Sequence, residues 1–169
     1  MYDYLIVGAG LFGAVFAHEA KKHGKSCLVV EKRNHIAGNI YCKNVDGIRF
    51  NELEVPRGGE YKVKLADGTL VYLNSATRMK YPVKFDGKER KVYLSGEAYF
   101  EVAKDPECPF FVEMEGVEVR VYGTSFNVNT HQKGCIQTVL VKGSIGVKVL
   151  ASGTESVIKP GQMAEFKQG

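Results

Sequence analysis

No apolar run in this sequence reaches the length of about 18 residues that a membrane-spanning helix needs. The best candidate, Tyr4–Ala17, is shorter, has no basic residues ahead of it and carries Gly8, Gly10 and Gly13. It is a poor export signal, so the chain as written is expected to stay in the cytoplasm. Charge of one sign is lacking too: the net charge is only +4, too weak a footprint for a nucleic-acid partner. The four cysteines, Cys27, Cys42, Cys108 and Cys135, form no CxxC or Cys/His pattern, which argues against a zinc site and predicts no metal. Their even number permits disulfides, but free thiols are expected. Histidine is scarce after Asn51, where His131 stands alone. A Ser-His-Asp or Cys-His site therefore finds no second clue there, and His131 reads as a loop residue. Proline is missing from the first part: Pro56, Pro82, Pro106, Pro109 and Pro160 all follow Asn51, whereas His18, His23 and His35 precede it. Such a shift of composition suggests two structural classes in one chain.

The first part carries a dense local pattern, YDYLIVGAGLFGAVFAHEAKKHGKSCLVVEKR. Tyr4–Val7 suits a buried parallel strand, a helix follows to about His23, Gly24 stops it, and Cys27–Val30 is a second strand ending at Glu31. Gly8, Gly10 and Gly13 form G-x-G-x-x-G between strand and helix. The first permits the tight turn, the second lets backbone approach a pyrophosphate, and the third lets helix and strand pack closely. Glu31, about twenty residues on, can accept hydrogen bonds from a ribose. Strand, glycines, helix, strand and acid in this order point to dinucleotide recognition as the origin of the segment.

The stretch Met1–Phe50, including VEKRNHIAGNIYCKNVDGIRF, closely resembles the amino terminus of the UDP-galactopyranose mutase family, FAD enzymes with a Rossmann-type domain. The resemblance implies that Phe12, Glu31, Lys32 and Asn39 would line a FAD site beside Gly8, Gly10 and Gly13. Ala37 stands where that family usually has a glycine. The resemblance ends at Phe50, and the remaining strands, the isoalloxazine pocket and the substrate arginines of the family have no counterpart. One βαβ unit cannot cover both faces of a parallel sheet and is small for a core of its own. No cofactor is therefore expected, these site residues are read as non-functional, and the chain is not expected to be an enzyme.

From Glu60 the period changes to two. EYKVKL and TLVYLN flank ADG, and MKYPVKF and ERKVYLS flank DGK, both as hairpins. EAYFEVA, FFVEME, VEVRVY, SFNVNTH, CIQTVLVK, SIGVKVL, ESVIK and QMAEF follow, punctuated by Gly143, Gly153 and Pro160-Gly161. Short strands with regular turn signals indicate an all-β sandwich, barrel or solenoid. Glu97 and Glu101 share a face of one strand, as a glycosidase pair would, but alternation makes that commonplace, and no catalytic residue is assigned. Tyr81, Phe85, Tyr93, Tyr99, Phe100, Phe110 and Phe111 could form a sugar-stacking strip; at strand spacing they read first as core.

VKLADGTLVYLNSATRMKYPVKF, RKVYLSGEAYFEVAKDPECPFFVE, VRVYGTSFNVNTH and TVLVKGSIGVKV, spanning about Leu53 to Lys167, resemble the FecR family of anti-sigma regulators. The resemblance implies a periplasmic, protein-binding relay domain that takes its signal from the signalling domain of a TonB-dependent outer-membrane transducer. It also implies a sigma-factor-binding segment and one membrane helix, neither of which is in this sequence. The chain thus reads as a chimera: a truncated Rossmann-like βαβ fragment over 1–50, then a mainly-β FecR-like domain over 51–169, sandwich or solenoid. The alternatives are a flavoprotein isomerase of the mutase type, with FAD, and a carbohydrate-binding β-module. The first fifty residues are expected to be disordered or docked on an edge of the β-domain, and proteolysis to trim the chain between Arg49 and Gly59.

Overall fold

A computed structural model describes residues 1–32, 38, 40–45 and 47–167. The chain opens with β1 (Tyr4–Val7), α1 (Leu11–Lys22) and β2 (Cys27–Val30). β1 and β2 pair in parallel, Tyr4 opposite Cys27 through Val7 opposite Val30, the expected βαβ unit. Gly8 makes the strand-to-helix turn at φ +100°, a conformation that L side chains resist. Lys21 and Lys22 lie in the last turn of α1, where cations favour the helix dipole. The unit has no second layer: no residue of α1 is buried, and Leu5, Val7, Leu11, Phe12, Val15 and Phe16 are all exposed.

The chain then enters the β-domain earlier than the change of period suggests. β3 (Ile40–Val45) and β4 (Ile48–Glu54) form an antiparallel hairpin with Gly47 at φ +83°. β4 runs without a break through the Phe50–Asn51 seam and pairs on its other side with a later strand through Phe50–Glu54. The hairpin signal was present in the sequence, Asp46-Gly47 between two stretches of alternating character, just as Asp67-Gly68 is. Docking at an edge of the β-domain thus describes Ile40–Val45, whose strand is the last of its sheet.

The remaining strands are β5 (Tyr61–Lys64), β6 (Leu70–Leu73), β7 (Arg78–Pro82), β8 (Arg90–Ser95), β9 (Glu97–Glu101), β10 (Phe110–Met114), β11 (Val117–Val121), β12 (Ser125–Asn129), β13 (Cys135–Lys142), β14 (Ile145–Val149), β15 (Glu155–Ile158) and β16 (Met163–Lys167). They fall where the alternation places them. An eight-stranded sheet has the order β15-β14-β11-β10-β8-β7-β4-β3, and a six-stranded sheet β16-β13-β12-β9-β6-β5. Both orders run in chain sequence, so the chain passes back and forth between two layers while advancing along them. The result is a sandwich with the progression of a solenoid.

Alternation fills the space between the layers. From the six-stranded sheet come Val71, Leu73, Ala98, Phe100, Phe126 and Val128; Val92, Phe110, Val112, Val117, Val119 and Val121 come from the other, all buried. Phe100 stacks on Phe126 within its sheet at 5.1 Å between ring centroids and meets Phe110 of the facing sheet at 6.2 Å. Each such ring contributes on the order of 2–3 kcal/mol through burial.

One polar group is embedded in this interior. The Arg90 side chain, on β8, is 3% exposed. Its Nη1 donates to Asp67 Oδ2 at 2.7 Å and to the Ala103 carbonyl at 2.9 Å, and its Nε to the Cys108 carbonyl at 3.0 Å. Asp67 closes the β5–β6 turn, accepting from the Thr69 amide and hydroxyl. Arg90 thereby joins the eight-stranded sheet to a hairpin turn of the other and to the segment between β9 and β10. A tight crossing stands at the other end of β8: Gly96, between β8 and β9, has φ +120°, and a Cβ there would lie 2.5 Å from Thr77 Oγ1. That hydroxyl accepts the Glu97 amide at 2.9 Å, so the crossing has no room for a side chain.

Removing one partner of a buried pair strands the other charge, so Arg90→Met is expected to destabilise the domain by about 3–5 kcal/mol in urea unfolding. Pairing it with Asp67→Asn should cost less than the sum of the two single changes. On the edge strand β16, the Lys167 ammonium and the Gln137 amide hold the Glu165 carboxyl below its usual 4.5, at about 2. Its folded value lies below the unfolded one, so its stabilising contribution is complete above the usual carboxyl range and lost as pH falls towards 2. Glu165→Gln should therefore narrow the drop in unfolding midpoint on acidification across that window. Limited proteolysis offers a third check. Cutting between Arg49 and Glu54 would mean entering β4, which is hydrogen-bonded on both sides, and cutting just after it would detach a strand paired in the sheet. The stable product is therefore expected to begin ahead of Ile40, as read by mass spectrometry.

Candidate functional site

The glycine cradle of the amino-terminal unit forms as the sequence predicts. A Cβ on Gly13 would lie 2.1 Å from the Gly8 carbonyl oxygen, so only glycine lets the helix sit this close to the turn. Glu31, at the end of β2, accepts the Ala9 amide at 2.6 Å through Oε2. Gly8, Gly10, Gly13 and Glu31 are thus brought together. Phe12 is not part of the group: it is 92% exposed. Lys32 is exposed as well, and Asn39 and Ala37 lie outside the described residues.

Whether these residues fit a dinucleotide is decided by what surrounds them. The cradle offers the turn and helix start that hold a pyrophosphate. Among the described residues the walls are missing, because both strands and the helix beside it present most of their apolar side chains to solvent. Such sites ordinarily bury most of their ligand. The residues present do not fit a whole FAD.

Two concavities of the β-domain lie on its outer faces, one on each sheet. The larger, about 600 Å³, crosses the eight-stranded sheet near β3 and is lined in part by Tyr41, Glu52, Arg78, Lys80, Tyr93 and Glu113. Strand register places Tyr41 beside Glu52, Glu52 beside Lys80, Lys80 beside Tyr93 and Tyr93 beside Glu113, so one outward row spans five strands. The Lys80 ammonium sits 4.4 Å from the Phe50 ring centroid and 5.4 Å from that of Tyr93, favourable cation–π distances. Tyr41 donates its hydroxyl to Glu52, and that bond to a carboxylate raises the phenol pKa. Arg78 pairs with Glu54 at 3.1 Å. The groove is amphipathic, of mixed charge, with its side chains held by one another.

The second concavity, about 390 Å³, lies on the six-stranded sheet around Tyr72, Tyr99, Glu97 and Asn127. Glu97 and Glu101 do share an outer face, but Glu97 is engaged by two amides, Asn74 Nδ2 at 2.8 Å and Asn127 Nδ2 at 3.1 Å. His131 is an exposed loop residue. The aromatic residues divide by strand parity. Tyr81, Phe100 and Phe110 are buried, and Phe85 packs against the core. Tyr93, Tyr99 and Phe111 are half-buried and point outwards, because Ala98 and Phe100 take the inward positions of β9, and Phe110 and Val112 those of β10. All four cysteines are free thiols. Among the described residues no group of three or more His, Cys, Asp or Glu side chains could hold a metal ion, and no helix is long and apolar enough to cross a membrane. Sequence reasoning missed Tyr41 and Glu52 in the larger groove, for want of the β3–β4 hairpin, which the Asp46-Gly47 turn could have revealed.

Comparison with known proteins divides along the same line. Residues 6–57 match the NAD(P)-binding Rossmann-like domain. A stretch of 53 residues is 42% identical to the UDP-galactopyranose mutase of Mycoplasma pneumoniae, and 42 residues are 55% identical to that of Mycoplasma genitalium. These matches cover 30% and 25% of this chain, and only 13% and 10% of the mutases. Two crystal structures of a Parabacteroides distasonis protein assigned as an anti-sigma factor superpose with TM-scores of 0.63 and 0.62, at 29% and 30% identity. They cover 70% and 69% of this chain, which spans 60% and 59% of theirs. The model of the FecR protein family matches residues 51–146, from within β4 to within β14, so the two family matches overlap inside and just after β4. With more than half of its length in that match, and the two-layer fold shared with those solved structures, the chain belongs to the FecR family.

Proposed function

We propose that this chain is a non-catalytic, protein-binding relay domain of an anti-sigma regulator, whose partner is the signalling domain of a TonB-dependent outer-membrane transducer. The observation that carries this reading is the FecR family match across residues 51–146. The working unit on this reading is 51–169, and the mutase-like residues 1–50 add β3 and the start of β4 to its edge. Its compartment is the periplasm, that of the family's equivalent domain.

The groove on the eight-stranded sheet supports a protein partner. Tyr and Arg dominate the energetics of protein interfaces, because each combines a large apolar surface with a polar end. Tyr93, Arg78 and Lys80 stand in a groove whose mutual ion pairs and ring contacts limit the side-chain entropy lost on binding. A mixed-sign surface also suits discrimination between related partners, since like charges brought together oppose the wrong one. Against a flavoenzyme stands the βαβ unit, whose cradle has no walls among the described residues.

Calorimetric titration of the chain with a purified transducer signalling domain tests the proposal. Binding is expected, with Tyr93→Ala and Lys80→Glu each weakening it about tenfold or more while the far-ultraviolet spectrum is unchanged. No binding to any transducer signalling domain, or full affinity in both variants, would overturn the respective halves: the partner or the surface.

A further inference from the structure

We infer that the outer face of the six-stranded sheet is a binding platform for neutral oligosaccharides, at a site separate from the groove assigned to the protein partner. Strand register sets Lys62, Tyr72, Tyr99 and Asn127 in one outward row across β5, β6, β9 and β12. The Tyr72 and Tyr99 rings lie 6.0 Å apart between centroids, tilted by 50°. The Lys62 ammonium is 4.7 Å from the Tyr72 ring centroid. Beside this row, Glu97 holds its carboxylate between the amides of Asn74 at 2.8 Å and Asn127 at 3.1 Å.

Each part matches a part of a sugar. A pyranose ring has a face of C–H bonds, which packs on an aromatic ring, and two successive rings can seat two successive sugars. Its hydroxyls come in vicinal pairs that both donate and accept. A carboxylate flanked by primary amides supplies acceptors and donors side by side, and here the hydrogen bonds to Glu97 fix all three groups before any ligand arrives. The cleft volume of about 390 Å³ falls in the range of small-ligand sites.

Charge selects among ligands that stack. Nucleotides also stack on tyrosine, but they need cations for their phosphates. The lining sets one ammonium, Lys62, against the carboxylates of Glu60 and Glu97, in a chain whose net charge is only +4. The cleft thus lacks the surplus of cations that a phosphate needs, which favours an uncharged ligand. A cross-strand tyrosine pair can also serve the sheet alone, contributing about 0.2–1 kcal/mol, and Asn74 serves its own turn by accepting the Ser75 amide; neither role calls for the Asn127 amide on Glu97 at 3.1 Å.

The chain has no tryptophan and nine tyrosines, so its intrinsic emission is tyrosyl, and the part contributed by Tyr72 and Tyr99 is identified by difference with their variants. The test titrates the full chain with neutral gluco-, xylo-, galacto- and manno-oligosaccharides, following tyrosine emission and heat. At least one series is expected to bind. Tyr72→Ala and Tyr99→Ala should each weaken that binding about tenfold, and Glu97→Gln, which leaves one of the two Asn amides without its acceptor, should weaken it as well while the chain stays folded. Tyr72→Phe, which keeps the ring, should bind within about threefold of the parent, and this also guards against an alanine variant that fails to fold. Tyr93→Ala on the opposite face should leave saccharide binding unchanged, which separates this proposal from the protein-partner reading. Absence of binding by every series at millimolar concentration overturns the inference, as does undiminished binding in Glu97→Gln together with the alanine variants.

Discussion

The buried guanidinium of Arg90 is the constraint around which the β-domain is arranged. Removed from water, it finds its acceptors on two separate pieces of chain: Asp67 in the β5–β6 turn, and the Ala103 and Cys108 carbonyls in the β9–β10 connection. A charge in such a place is tolerated only with good geometry and extensive pairing; here Nε and Nη1 are bonded, and the buried Nη2 has no hydrogen-bond partner among the described residues. Only one arrangement of the β5–β6 turn and the β9–β10 connection provides this, so their positions are fixed relative to β8. Apolar packing alone would be satisfied by several registers of a sandwich; a fan of directed hydrogen bonds selects one. The Phe110 ring beneath the guanidinium, 5.5 Å from it, links the polar fan to the aromatic interior.

With the interior fixed, parity decides what the two outer faces display. Each inward Val or Phe sends its neighbours outwards, and the long antiparallel rows turn that alternation into continuous ladders across several strands. On one face the ladder reads tyrosine, glutamate, lysine, tyrosine, glutamate; on the other it pairs two tyrosines beside an amide-clasped carboxylate. The two surfaces differ in chemistry, one charged and of mixed sign, one nearly neutral and aromatic. A protein partner on one and a small polyol on the other is a division of labour that a two-layer fold permits, because neither face is needed to cover the core.

The amino-terminal unit shows the opposite case, a local motif that folds as its sequence dictates without the layer that would make it a site. Its glycines, helix and strands are set by nearest neighbours and need nothing distant. A dinucleotide pocket needs distant chain, namely the further strands and covering helices that bury the sheet on both sides. Those are missing from the described residues, and Leu5, Val7 and Phe12 face solvent instead. The two family matches overlap at residues 51–57, the end of β4 and the start of the connection after it.

The sequence by itself determined the local elements: the βαβ unit with its Gly8–Gly13 turn, and strand after strand of the β-domain, because period and turn residues act over a few residues. It also determined the family, through motifs spread along residues 53–167. What only the tertiary structure decided is which strands share a sheet, that β3 and β4 belong to the β-domain, and that Tyr93, Tyr99 and Phe111 face outwards while Phe100 and Phe110 lie inside. The site residues depend on this second kind of information. Tyr41 meets Glu52 and Lys80 meets Tyr93 only through cross-strand register, and register is set by long-range pairing and by the buried Arg90, which no local pattern records.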